Sequence, residues 1–110
     1  MKIETLKSSK DFKRLKNGKF HRSHSFLLQA GENIDSKITR VGFTVTKQNG
    51  NAVNRNRIKR RLRSVAQVVF NNIELRKWDY VMIGKKNTLI TSFDKLKSEL
   101  EMAINKIHKY

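Results

Sequence analysis

Six of the nine residues from Arg55 to Arg63 are arginine or lysine, within the run GNAVNRNRIKRRLR that begins at Gly50. Like charges crowded this closely destabilise an isolated helix, so the run calls for a polyanion to compensate it. Arginine outnumbers lysine in it, and the planar guanidinium fork grips phosphate through two hydrogen bonds or stacks on an exposed base. Asn56, between two arginines, adds a donor and an acceptor that suit a base edge or the first helical turn. The start of a helix itself also favours an anion.

This chemistry is binding, not bond breaking. No Ser/His/Asp or Cys/His constellation stands out, and Asp11, Asp79 and Asp94 are scattered without the logic of paired carboxylates. His21, His24 and His108 lack companions at metal-ligand spacing and read as surface residues. A nuclease acting alone gathers acidic residues around magnesium to activate water. Here no acidic residue occurs between Asp35 and Glu74, where the positive charge is concentrated. Any hydrolysis therefore falls to a partner, and no metal ligand is assigned to the chain.

The remaining composition narrows the partner. The chain has 110 residues and a formal net charge of +16, a balance that points to nucleic acid. At 37% hydrophobic it can bury a core, and its length suits one domain spanning residues 1–110. There is no cysteine, and no apolar run approaches the length needed to span a bilayer. The expectation is a soluble, cytoplasmic protein without membrane association. RNA is favoured over DNA, because cations spread around most of a helix suit a folded RNA, or two polyanions at once. A ribosomal-type structural protein and a DNA-binding regulator remain as rival readings.

Hydrophobic period places these residues on elements. Ser8 and Asp11 suggest a capping box for a helix from about Ser9 to Asn17, with Gly18 as its stop and Phe12 and Leu15 on one side. FHRSHSFLLQA is β-prone, with Phe26, Leu28 and Ala30 alternating against Leu27 and Gln29. GENIDSK reads as a turn. In ITRVGFTVT, Val41, Phe43 and Val45 face a core, while Arg40, Gly42, Thr44 and Thr46 make an opposite face that suits an open groove. KQNGN is a turn. From Asn54, Ile58, Leu62, Val65, Ala66 and Val69 form a helical stripe to about Phe70. Lys59, Arg60, Arg57, Arg61 and Arg63 spread over the remaining circumference, with Arg55 near the stripe.

WDYVMIG reads as an interior strand followed by Lys85 and Lys86. A last helix opens at Thr91 or Ser92 and carries Phe93, Leu96, Leu100, Ala103, Ile104 and Ile107. The result is an α+β sandwich, helices on a small mixed sheet, with room for a further short strand at Lys19 to Arg22. Phe26, Phe43, Trp78, Tyr80 and Phe93 are assigned to the core. Phe12, an aromatic on a short helix, also reads as core by residue type alone.

The run RVGFTVTKQNGNAVNRNRIKRRLR closely resembles the signature of the bacterial ribonuclease P protein family. Gly50-Asn51-Ala52-Val53, Arg55-Asn56-Arg57 and Lys59-Arg60 carry the match, and LKSSKDFKRLKNG, FLLQ and WDYVMIGKK extend it over nearly the whole chain. The resemblance implies the order αβββαβα with a left-handed βαβ crossover, contrary to the usual hand. It also implies a role as subunit of a ribonucleoprotein endonuclease. The RNA of that enzyme, using Mg2+, removes the 5′ leader of precursor tRNA, and the protein docks on the RNA and holds the leader. By position, Arg55, Asn56, Arg57, Lys59, Arg60 and Arg63 match the contact with the catalytic RNA and the cleft edge. Phe12, Gln29, Thr44, Lys47, Lys85 and Lys86 match the leader cleft. Gln29 stands where tyrosine is common, Gln48 where lysine is common, and Leu15-Lys16 replace a usual second aromatic.

Overall fold

Strands with apolar residues at every second position and helices with one apolar stripe must bury those surfaces against each other. In the computed structural model, which describes residues 4–6, 8–33, 38–72 and 78–108, they do so around one five-stranded sheet. The elements run β1 (Glu4–Thr5), α1 (Ser9–Lys16), β2 (Lys19–Arg22), β3 (Phe26–Glu32), β4 (Arg40–Val45), a 3-10 turn (Lys47–Asn49), α2 (Ala52–Asn72), β5 (Trp78–Gly84), α3 (Asn87–Ile90) and α4 (Phe93–His108). Across the sheet the order is β1-β4-β5-β3-β2. β4 and β5 are parallel and joined through α2, whereas β3 pairs antiparallel with both β5 and β2.

One face of the sheet carries the main core. Phe26, Leu28, Ala30, Val41, Tyr80 and Met82 are fully buried there against Ile58, Leu62, Val65 and Val69 of α2 and Leu96, Leu100 and Ala103 of α4. Each of the larger aliphatic and aromatic side chains among them contributes about 1.5–3 kcal/mol by leaving water. Gly84, at the end of β5, lets α2 lie directly on the strand, since a Cβ there would strike Ile58. That contact sets the basic run beside the ends of β4 and β5. The opposite face is covered only in part, by α1, whose Leu15 joins Leu6 and Val81 in a second small cluster.

Several expectations are corrected. The Ser8 side chain makes no cap bond; its carbonyl accepts from the Phe12 N–H, and Asp11 pairs with Arg14 instead. The expected helix is present as Ser9–Lys16 with Asn17 as its C-cap, and Gly18 after it also serves close approach, because a Cβ would collide with the Ala30 carbonyl. Gly31 and Glu32 extend β3 into the expected turn, of which residues 34–37 lie outside the described residues. Two further elements appear: β1, too short to show a period, which pairs with Arg40 and Val41, and the four-residue α3. Phe93 is 39% exposed and not core. His108 is no free surface residue, for its Nε2 lies 2.7 Å from the Tyr80 hydroxyl and its ring meets Trp78 edge-on. No helix among the described residues is long and apolar enough to cross a membrane.

Candidate nucleic-acid interface

The turn before α2 is built to start a helix at a fixed angle. Gly50 has φ +128°, a conformation that side chains with a Cβ rarely adopt, and the Asn49 side chain donates to the Thr46 hydroxyl at 2.8 Å. Asn51 then caps the helix: its Oδ1 accepts from the Asn54 N–H at 2.9 Å and its carbonyl from the Arg55 N–H. From that start, Ile58 and Leu62 are held in the core and the polar positions between them face outward.

Those outward positions divide into two flanks. Asn56, Lys59, Arg60 and Arg63 line one depression of about 320 Å³, and Arg55, Asn56 and Lys59 line an adjoining one of about 180 Å³ with Val45 and Ala52. Five predicted cations and amides are thus brought together, and Asn56 borders both depressions. The Arg55 Nε is buried without a hydrogen-bond partner among the described residues, and the Arg63 guanidinium lies 5.4 Å from the Phe43 ring centre. Arg57 is exposed but lies about 100° further around the helix than Asn56. It is set apart from the cluster and faces the other flank.

Arg61 differs from its neighbours. Its Nε donates to the Thr88 carbonyl at 2.9 Å and its Nη2 to the Thr91 carbonyl, tying α2 to α3 and the start of α4. The expectation that Arg61 joins the outward cations is therefore corrected. Arg61→Ala is expected to lower the thermal midpoint while leaving the salt dependence of RNA binding unchanged. Melting curves and a salt titration check this; a reduced salt slope would return Arg61 to the interface.

The partly covered face of the sheet forms the second region. Cross-strand register aligns Gly42, Val81, Gln29 and Phe20 in one row, and Thr44, Ile83, Leu27 and Arg22 in the next. The Phe12 ring sits over Gly42, where a Cβ would meet its edge at 2.6–2.8 Å, and packs with the Leu6, Leu15 and Val81 cluster. Phe12 is therefore both packing residue and groove wall. Gln29 and Thr44 are half-exposed beside it. Lys47 follows β4, and Lys85 and Lys86 follow β5, so all three stand where the two parallel strands end and α2 begins. Phe12, Gln29 and Thr44 thus share one face of the sheet, and the three lysines stand at the end where β4 and β5 finish.

Two residues escape sequence reasoning here. Arg40, expected to face an open groove, instead binds the fully buried Asp79 through Nε at 2.8 Å and Nη2 at 2.7 Å. Arg14 and Asn33 bind the same carboxylate. The second residue is Phe20, whose exposed ring shares the groove face. Among the described residues no group of three His, Cys, Asp or Glu is placed to hold a metal, and Asp79 is fully engaged by its cations. These side chains do not fit a magnesium site. A larger cavity of about 780 Å³, lined by His21, His24, Ile90, Lys95, Glu99 and Met102 among others, meets the groove face at Arg22 and includes none of the predicted site residues.

The chain is similar to known proteins over nearly its whole length. A sequence model of the family described as Ribonuclease P matches residues 1–108. The Ribonuclease P protein component of Ruegeria pomeroyi is 38% identical over 109 residues, covering 96% of this chain and 87% of that protein. Its counterpart in Finegoldia magna is 42% identical over 85 residues, covering 77% and 73%. Among solved structures, the RNase P protein of Staphylococcus aureus superposes with a TM-score of 0.78 at 28% identity, covering 98% of this chain and 97% of that one.

Proposed function

The chain belongs to the Ribonuclease P protein family and is a protein component of that endoribonuclease, and from this premise we propose how its two regions divide the work. The α2 flank of Arg55, Asn56, Lys59, Arg60 and Arg63, with Arg57 on the other side, docks on the RNA component. The groove of Phe12, Gln29, Thr44, Lys47, Lys85 and Lys86 holds the unpaired 5′ leader of precursor tRNA. One observation supports this above the others: the start of the basic helix and the end of the groove meet where β4 and β5 finish.

The physical logic follows from charge and shape. Each phosphate met by Lys or Arg releases counterions, so docking is driven by salt-sensitive electrostatics. Arg55, whose Nε has no partner among the described residues, gains an acceptor when its side chain turns outward to a phosphate oxygen, offsetting the cost of leaving a donor unpaired. In the groove, an apolar floor of Ile83 and Leu27 with an aromatic wall suits bases without demanding a sequence, because every base has a π-face. Leader and catalytic RNA are then held side by side, which fixes the scissile bond by position. Bond cleavage, with its magnesium, we assign to the RNA partner.

Reconstitution tests the reading. The protein is combined with a bacterial ribonuclease P RNA at low magnesium, and 5′ processing of precursor tRNA is followed. Processing should exceed that of the RNA alone; equal rates with and without protein would sink the proposal.

A further inference from the structure

We propose that Phe20 is a second base-stacking platform, extending the groove across β2 to the edge of the sheet. The inference rests on the reading of this face as the seat of the leader. It begins from register: Phe20 pairs with Gln29 and Arg22 with Leu27, whereas Lys19 and His21 pair with the core residues Ala30 and Leu28. Side chains alternate along a strand, so Phe20 stands on the face of Gln29, Thr44 and Phe12.

Burial then separates the two rings. Phe12 is seated over Gly42 and packed into the Leu6, Leu15 and Val81 cluster, leaving only part of its surface for a ligand. Phe20 is 63% exposed and belongs to neither core cluster. A large ring bare on the groove face of an edge strand contributes little to folding and leaves its π-face open to a stacked base. In the same row, the half-exposed Gln29 offers an amide to a base edge between the rings. Arg22, exposed and two positions further along β2, supplies a cation for the adjoining phosphate, although it also borders the large cavity.

Three strand spacings of about 4.8 Å separate the Gly42 position from Phe20, placing the platforms about 14 Å apart. That gap leaves room for more than one unpaired nucleotide between the rings. The ligand is therefore an unpaired RNA nucleotide, read by ring and cation without strict base identity.

The test uses the reconstituted ribonucleoprotein with Phe20→Ala, Phe20→Leu and Phe20→Trp, and measures affinity for precursor tRNA with a leader and for tRNA lacking one. Phe20→Ala should weaken the leader-bearing substrate by about 5- to 100-fold, the range typical of losing one aromatic stack. Phe20→Trp should retain affinity, Phe20→Leu should fall between, and binding without a leader should stay unchanged. Melting should be unaltered, since the ring is exposed. Thr44→Glu, which puts a negative charge in mid-groove, is the control for the underlying reading. If Thr44→Glu weakens leader binding and Phe20→Ala does not, the groove stands and its extension fails. If neither variant matters, the groove reading itself fails. Equal loss with and without a leader overturns the proposal too, since Phe20 would then serve fold or docking.

Discussion

Asp79→Ala is expected to lower the free energy of unfolding by about 3 kcal/mol or more, as much as truncating a large core side chain. The carboxylate is wholly buried, and it accepts two hydrogen bonds from Arg40, one from Arg14 and one from Asn33. Removing it strands cations that were desolvated to meet it, which costs more than the pair itself contributes. The figure belongs toward the lower end of the usual range of about 3–5 kcal/mol, because Arg14 can swing into water. Its side chain is 41% exposed, against 23% for Arg40. Against a total of about 5–15 kcal/mol for a domain, such a loss is severe. Urea unfolding measures it directly. Asp79→Leu combined with Arg40→Leu should cost less than Asp79→Ala alone, since the more buried cation is then gone and Arg14 keeps Asp11, the Glu32 carbonyl and water. Equal costs would show that the ion cluster is not the cause.

The same cluster has a functional consequence. Arg14 lies on α1, Arg40 on β4 and Asp79 on β5, so the carboxylate clamps the helix onto two central strands. The clamp holds Phe12 over Gly42 and so sets the groove wall. Asp79→Asn, which keeps the shape and loses the charge, should loosen α1 without unfolding the sheet. Leader-dependent binding should then fall more than docking on the RNA partner.

How far the sequence could be read depended on whether a feature repeats locally. The α2 stripe and the β4 alternation follow a period, the β5 run is nearly continuously apolar, and each was legible as an element. The basic run was legible for the same reason, since its charge is consecutive. Asp79 was not, because nothing near WDYVMIG announces that its partners lie 39 and 65 positions away. Arg61 looks like its neighbours in sequence, and only the docking of α3 reveals that it serves the fold. The pairing of Tyr80 with His108 is hidden in the same way. Phe20 falls between these cases. A strand at Lys19 to Arg22 was foreseeable, but which face the ring takes depends on pairing with β3, and pairing is a tertiary fact.

The combined substitution Lys59→Ala, Arg60→Ala and Arg63→Ala should produce the largest effect on binding. These three residues line one depression on α2 with Asn56, and none is tied to a backbone carbonyl as Arg61 is. If each meets one phosphate, a plot of log affinity against log salt should lose about 2 to 3 units of slope. Counterion release vanishes near molar salt, so at about 0.1 M the same loss amounts to roughly 100- to 1,000-fold in affinity for the RNA component. Stability should move the other way. Lys59 with Arg63 and Arg60 with Arg63 are like-charge neighbours on one helical turn, and each such pair costs about 0.2–0.5 kcal/mol. The triple variant should therefore melt no lower than the parent, which separates lost binding from lost fold. Adding Arg57→Ala probes the opposite flank: a further drop in slope for the RNA component places that phosphate on the same partner. A drop seen only with precursor tRNA places it on the substrate. An unaltered slope in the triple variant would show that this flank does not meet phosphate, and the division of labour proposed for α2 would fall with it.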